Sequence, residues 1–92
     1  MNIDLVVDLV KEKKGFRSTA RDGYIRFIAE GVVSELEQVQ GLVIDLANPH
    51  HLMLVVDLSE WRYTNRDSED TPRHLKFRLH NLVISSVGDS NG

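Results

Sequence analysis

Residues 52–58, "LMLVVDL", form a nearly continuous apolar run in a chain of only 92 residues. Such a run leaves little for a solvent-facing side. In a small domain it has to occupy the centre, either as a helix buried on most sides or as a central strand. Asn48 and Pro49 stand just before it and suit the cap and first turn of a helix. Extended through Trp61 and Tyr63, that helix has about four turns and ends in the polar stretch "TNRDSEDTP", residues 64–72. The large amphipathic rings of Trp61 and Tyr63 then lie where the buried helix reaches the surface, suited to covering the core or entering an interface.

The rest of the chain has to wrap this element. "NIDLVVDLVKEKKG" places Ile3, Val6, Val7 and Val10 at helical spacing, broadened by Leu5 and Leu9. Asn2 is placed to cap it, lysines fill its last turn, and Gly15 closes it. "STARDGYIRFIAEGVVSELEQVQG" is the most periodic stretch. Ala20, Tyr24, Phe27, Ile28, Gly31, Val32, Glu35, Leu36 and Val39 recur every three or four residues, and only Glu35 spoils the stripe. One long helix is expected, capped by Ser18 or Thr19 and ended by Gly41. Gly31 inside it suggests close approach of another backbone. Residues 42–46 read as a brief extended piece.

After the polar loop, Thr71 and Pro72 form a cap and first-turn pair. They open a closing helix with Leu75, Leu79, Leu82, Val83 and Val87 on one face. The terminal "GDSNG" reads as a frayed end. The expected fold is an all-α single domain over residues 1–92, a bundle of about four helices with a long second and a buried third helix. The competing arrangement is α+β, with strands at 42–46, 52–58 and 75–84, because Leu75, Phe77 and Leu79 also alternate with Lys76, Arg78 and His80.

Composition narrows the chemistry. There is no cysteine, so disulfides, thiol catalysis and cysteine-rich zinc sites are excluded. A domain this small has modest burial, which leaves self-association as a ready source of stability. No segment reads as a membrane span or signal peptide, and the chain is expected to be cytosolic. A net charge of −3 hides a two-signed surface. Lys11, Lys13, Lys14, Arg17, Arg21 and Arg26 cluster early and Arg73, Lys76 and Arg78 late, with acids dominating between them. Complementary patches of this kind orient neighbouring subunits.

No glycine-rich phosphate loop, HExxH or GxSxG is present, and an enzyme is not expected. His50 and His51 are adjacent and diverge on a helix, and His74 and His80 face different ways, so no metal site is expected. Asp57, within the most apolar helix, needs a basic partner, with Arg26 or Arg62 in reach. Arg62 and Arg66 share one helical face and suit an acidic neighbour. Arg73, Lys76 and Arg78, with His74 and His80, would track phosphates, although the long loop before Thr71 does not fit a helix-turn-helix.

Three segments in order resemble the small helical head-tail connector or adaptor proteins of tailed bacteriophages and prophages. They are "RDGYIRFIAEGVVSELEQVQG", "LMLVVDLSEWRYTNRD" with Trp61, Tyr63, Asn65 and Arg66, and "TPRHLKFRLHNLVIS" with Pro72, Leu75, Leu79 and Leu82. Together they run from residue 21 to about residue 85. The resemblance implies a structural virion protein at the head-tail junction, assembled in the host cytoplasm. It would form a ring beneath the portal protein, contact a downstream tail-completion or stopper protein, and leave a channel for packaged DNA, with no cofactor and no membrane. The ring interface is expected to include Arg26, Glu30, Glu37, Trp61 and Arg66, and Arg73, Lys76 and Arg78 are expected to face the DNA channel or a partner. A small helical DNA-binding regulator and an antitoxin-like or immunity protein-binding module are the alternatives.

Overall fold

In a computed structural model, which describes residues 3–65 and 71–90, the chain folds as four helices. These are α1 (Ile3–Lys14), α2 (Asp22–Gln38), α3 (Pro49–Thr64) and α4 (Arg73–Ser90). No strand occurs among the described residues: 52–58 lie inside α3 and 75–84 inside α4, which disposes of the α+β alternative. The Asn48 cap and Pro49 start the helix that holds the first, and the backbone carbonyl of Pro72 starts the helix that holds the second.

α1 ends as its sequence dictates. Gly15 takes a φ of +73°, its N–H bonds the Glu12 carbonyl, and the N–H of Phe16 bonds the Lys11 carbonyl. This paired closure needs a left-handed residue, which glycine supplies without strain. Lys11, Lys13 and Lys14 fill the last turn, where positive charge complements the helix dipole. Asn2, the expected cap, lies outside the described residues.

α3 starts at Pro49, with Asn48 Oδ1 accepting the N–H of His50 at 2.9 Å. Leu54, Val55, Val56, Leu58 and Ser59 are buried in it. It packs against α1, α2 and α4, whereas among the described residues α4 packs on α3 alone and makes no packing contact with α2. The apolar run is central because it is the element the other three share.

The register of α2 departs from the expected stripe. Its buried residues are Ile25, Ala29, Val32, Val33 and Leu36, while Phe27 is 72% exposed and Val39 71%. Ala20 precedes the helix, and Tyr24 is also exposed. The true face carries no charge, and Glu35, the residue that spoiled the expected stripe, points outward to pair with Arg62 at 2.5 Å. The start also differs. Arg21 is the N-cap without a side-chain bond, Ser18 Oγ instead accepts the N–H of Ala20, and the Thr19 carbonyl accepts the N–H of Asp22. Those local turns use up Ser18 and Thr19 before the helix begins.

Gly31 has nothing within 4 Å of where a Cβ would stand, so no backbone passes close to it. Gly31→Ala is therefore expected to stabilise the fold by about 0.5–1 kcal/mol, the difference in helix propensity, measurable by urea denaturation.

Gly41, at φ +71°, turns the chain out of α2, and the Leu42 N–H bonds back to the Leu36 carbonyl. Residues 42–45 are neither helix nor strand and Leu46 enters a turn, and burial alternates along them as in an extended chain: Leu42, Ile44 and Leu46 are buried, Val43 and Asp45 exposed. Backbone polarity is met by side chains, with the Ile44 N–H donating to Glu37 Oε2 at 3.3 Å and the Asp45 N–H to His51 Nδ1 at 3.0 Å. An extended segment without a partner strand requires such acceptors.

α4 begins at Arg73, and the Pro72 carbonyl accepts the N–H groups of Leu75 and Lys76. Pro72 thus stands at the cap position, one residue earlier than the expected first turn. Leu75 is buried and Leu79, Leu82 and Val83 are half-buried against the core, while the Val87 side chain lies outside the described residues. The helix continues to Ser90 through "GDS", in place of the expected frayed end. Once propagating, a helix absorbs one glycine at about 1 kcal/mol.

Candidate functional site: an ion-pair node and two outward faces

Asp57 sits half-buried where α1, α3 and α4 meet. Its Oδ1 accepts from Lys13 Nζ at 2.5 Å and its Oδ2 from Arg78 at 2.5 Å, while Lys13 also reaches Glu60 at 2.5 Å. The expected partners, Arg26 and Arg62, are engaged elsewhere, with Asp4 and Glu35. Burial pushes the Asp57 carboxyl up, but the bonds from Lys13 and Arg78 outweigh it and hold the carboxyl below its ordinary value. Burial acts to lower Lys13 and the two carboxylates raise it above its ordinary value. The node clamps three helices in register.

The aromatic exit of α3 is architectural as well. Tyr63 meets Phe16 edge-on at 5.5 Å between centroids and Tyr24 at 5.8 Å, and the Arg21 guanidinium lies 4.5 Å over the Phe16 ring. Edge-to-face packing at these distances is favourable for aromatic quadrupoles. It ties the α1–α2 connection to the ends of α2 and α3. Trp61, half-buried, lines a groove with Lys13, Glu60, His74 and Arg78.

Ser59 is the buried polar exception. It is 1% exposed and its Oγ has no hydrogen-bond partner among the described residues. A buried hydroxyl without a partner is destabilising, so Ser59→Ala is expected to raise stability by about 1 kcal/mol, read as a higher urea midpoint at unchanged slope.

The remaining expected site residues separate into two groups. Arg26, Glu30 and Glu37 are on α2, with Arg26 bound to Asp4, Glu30 exposed and Glu37 half-buried beneath Ile44. Arg73 and Lys76 are exposed on α4, whereas Arg78 belongs to the Asp57 node. Arg66 lies outside the described residues. Among the described residues no group of three or more His, Asp or Glu is placed to hold a metal, and no helix is long and apolar enough to cross a membrane.

Residue-level reading of the sequence missed that Phe27 and Phe77 face outward, 72% and 64% exposed. Phe77 shares its face with Ile84, seven residues on and 55% exposed. The available signal was positional: each Phe lies opposite the charge-free side of its helix.

Fold and site together define a small all-helical bundle with an ion-pair node joining α1, α3 and α4. No family model, curated protein or solved structure matches the chain.

Proposed function

We propose that this chain is a ring-forming connector subunit that docks beneath a phage or prophage portal, joins head to tail and leaves a channel for DNA. The observation that carries the reading is that Phe27 and Phe77 stand exposed on two different helices, α2 and α4, which make no packing contact with each other among the described residues. A ring subunit needs different surfaces for its left and right neighbours, because head-to-tail contacts close on themselves. Exposed apolar residues that line up on one face, as Phe77 and Ile84 do, supply the centre of such a contact. The ordered resemblance of residues 21 to about 85 to connector proteins supplies the portal, the tail-completion neighbour and the virion as the setting.

A second reading draws on the face of α4, where Arg73, His74, Lys76 and His80 are exposed and no acid occurs from Arg73 to Ile84. Such a face also suits the phosphates of DNA, as a small regulator would use it. Co-sedimentation separates the two. The connector binds a purified portal ring and has at most weak, sequence-independent affinity for duplex DNA. Specific, strongly salt-dependent DNA binding with no portal association overturns it.

A further inference from the structure

We propose that the outer face of α4 in one copy docks on the outer face of α2 in a second copy of this chain. The proposal rests on the self-association inferred above and names the two faces that make it. On α2, Phe27 is flanked by Glu30, Gly31 and Ser34, all exposed. On α4, Phe77 and Ile84 are flanked by Arg73, Lys76 and His80, all exposed. Each face is thus an apolar centre with charge beside it.

The charges left over after internal pairing are of opposite sign. On α2, Arg26 is held by Asp4 and Glu35 by Arg62, which leaves Glu30 and Glu37 without an ion-pair partner among the described residues. Glu30 lies near Arg26, but that guanidinium is already bound. On α4, Arg78 is held by Asp57, which leaves Arg73 and Lys76. Pairing α4 with α4 would set Arg73 and Lys76 against their own copies, and pairing α2 with α2 would do the same with Glu30 and Glu37. Juxtaposed like charges disfavour both, whereas α4 on α2 brings cations to anions around two phenylalanines. Because α2 and α4 make no packing contact within one bundle among the described residues, the contact is not satisfied internally. It is heterologous, and it propagates into a ring or an open chain.

The absence of native cysteine allows a clean test. Ser34→Cys on α2 and Asn81→Cys on α4 both change exposed residues, and a short bismaleimide reports their proximity. The expected result at millimolar protein is a crosslinked pair only when the two variants are mixed, and a ladder of multiples when one chain carries both. Lys76→Glu on the Asn81→Cys chain should reduce the mixed product several-fold, and Glu30→Lys on the Ser34→Cys chain should restore it. Self-crosslinking of either single variant, or no mixed product, overturns the pairing. So does wild-type duplex DNA binding that Lys76→Glu abolishes while the mixed product is missing. Portal binding by the wild type without an α2–α4 crosslink removes this pairing and leaves the connector reading. The crosslink without portal binding does the reverse.

Discussion

Ile25→Ala is expected to destabilise the fold by about 2–5 kcal/mol, whereas Phe27→Ala, two positions along the same helix, should change stability by no more than about 0.5 kcal/mol. Ile25 is 1% exposed and packed among the buried residues of α1, α2 and α3, so truncation leaves a cavity that the valine-rich surroundings fill only in part. Phe27 is 72% exposed and has little burial to lose. Domains of this size are stable by about 5–15 kcal/mol in all, so the first change removes a large share of the total. Thermal unfolding reads it as a fall in Tm of about 10 °C or more. The reverse ranking would mean that α2 is rotated, with the aromatic stripe inside.

Asp57→Asn should cost about 1–3 kcal/mol, the scale of charge-assisted hydrogen bonds lost from a half-buried site. Lys13 retains Glu60, but Arg78 loses the carboxylate that holds α4 to α3. The pH dependence gives the change a signature. The folded carboxyl is held below its ordinary value, so its contribution is fully present above the unfolded carboxylate pKa, near pH 4, and is lost as pH falls through the folded value. Wild-type stability should therefore decline on the acid side of about pH 4 more steeply than that of Asp57→Asn, and the difference between the two should shrink as pH falls. A difference that stays constant into acid would mean that the carboxylate is not paired in the folded state. Denaturant titrations at stepped pH make the comparison.

Much of the architecture was legible because local rules agreed with tertiary ones. Gly15, the Asn48–Pro49 pair and the Thr71–Pro72 region punctuate the chain where helices end or begin, and the run at 52–58 had to be central. α2 was misread because two stripes overlap on it. The expected stripe shares Val32 and Leu36 with the buried face, but it takes Tyr24, Phe27 and Val39 in place of Ile25, Ala29 and Val33, although the buried face is uninterrupted and the expected one contains Glu35. Periodicity locates a helix better than it sets its rotation when both sides carry apolar residues. The partners of Asp57 were illegible for a different reason. Lys13 and Arg78 are 44 and 21 residues away, and nothing local to Asp57 distinguishes them from Arg26 and Arg62. Only the packing of α1 and of α4 against α3 decides which cation arrives. The outward faces of Phe27 and Phe77 follow from the same rotation and became visible once the core was fixed.

Electron microscopy of the purified protein, alone and mixed with the portal ring of the same phage or prophage, tests the proposed role most directly. The connector reading predicts added density in a closed ring, coaxial with the portal and on its tail-facing side, with an open central channel. A discrete dimer or a one-to-one complex with another protein, and a portal ring left bare at saturating concentration, would contradict it.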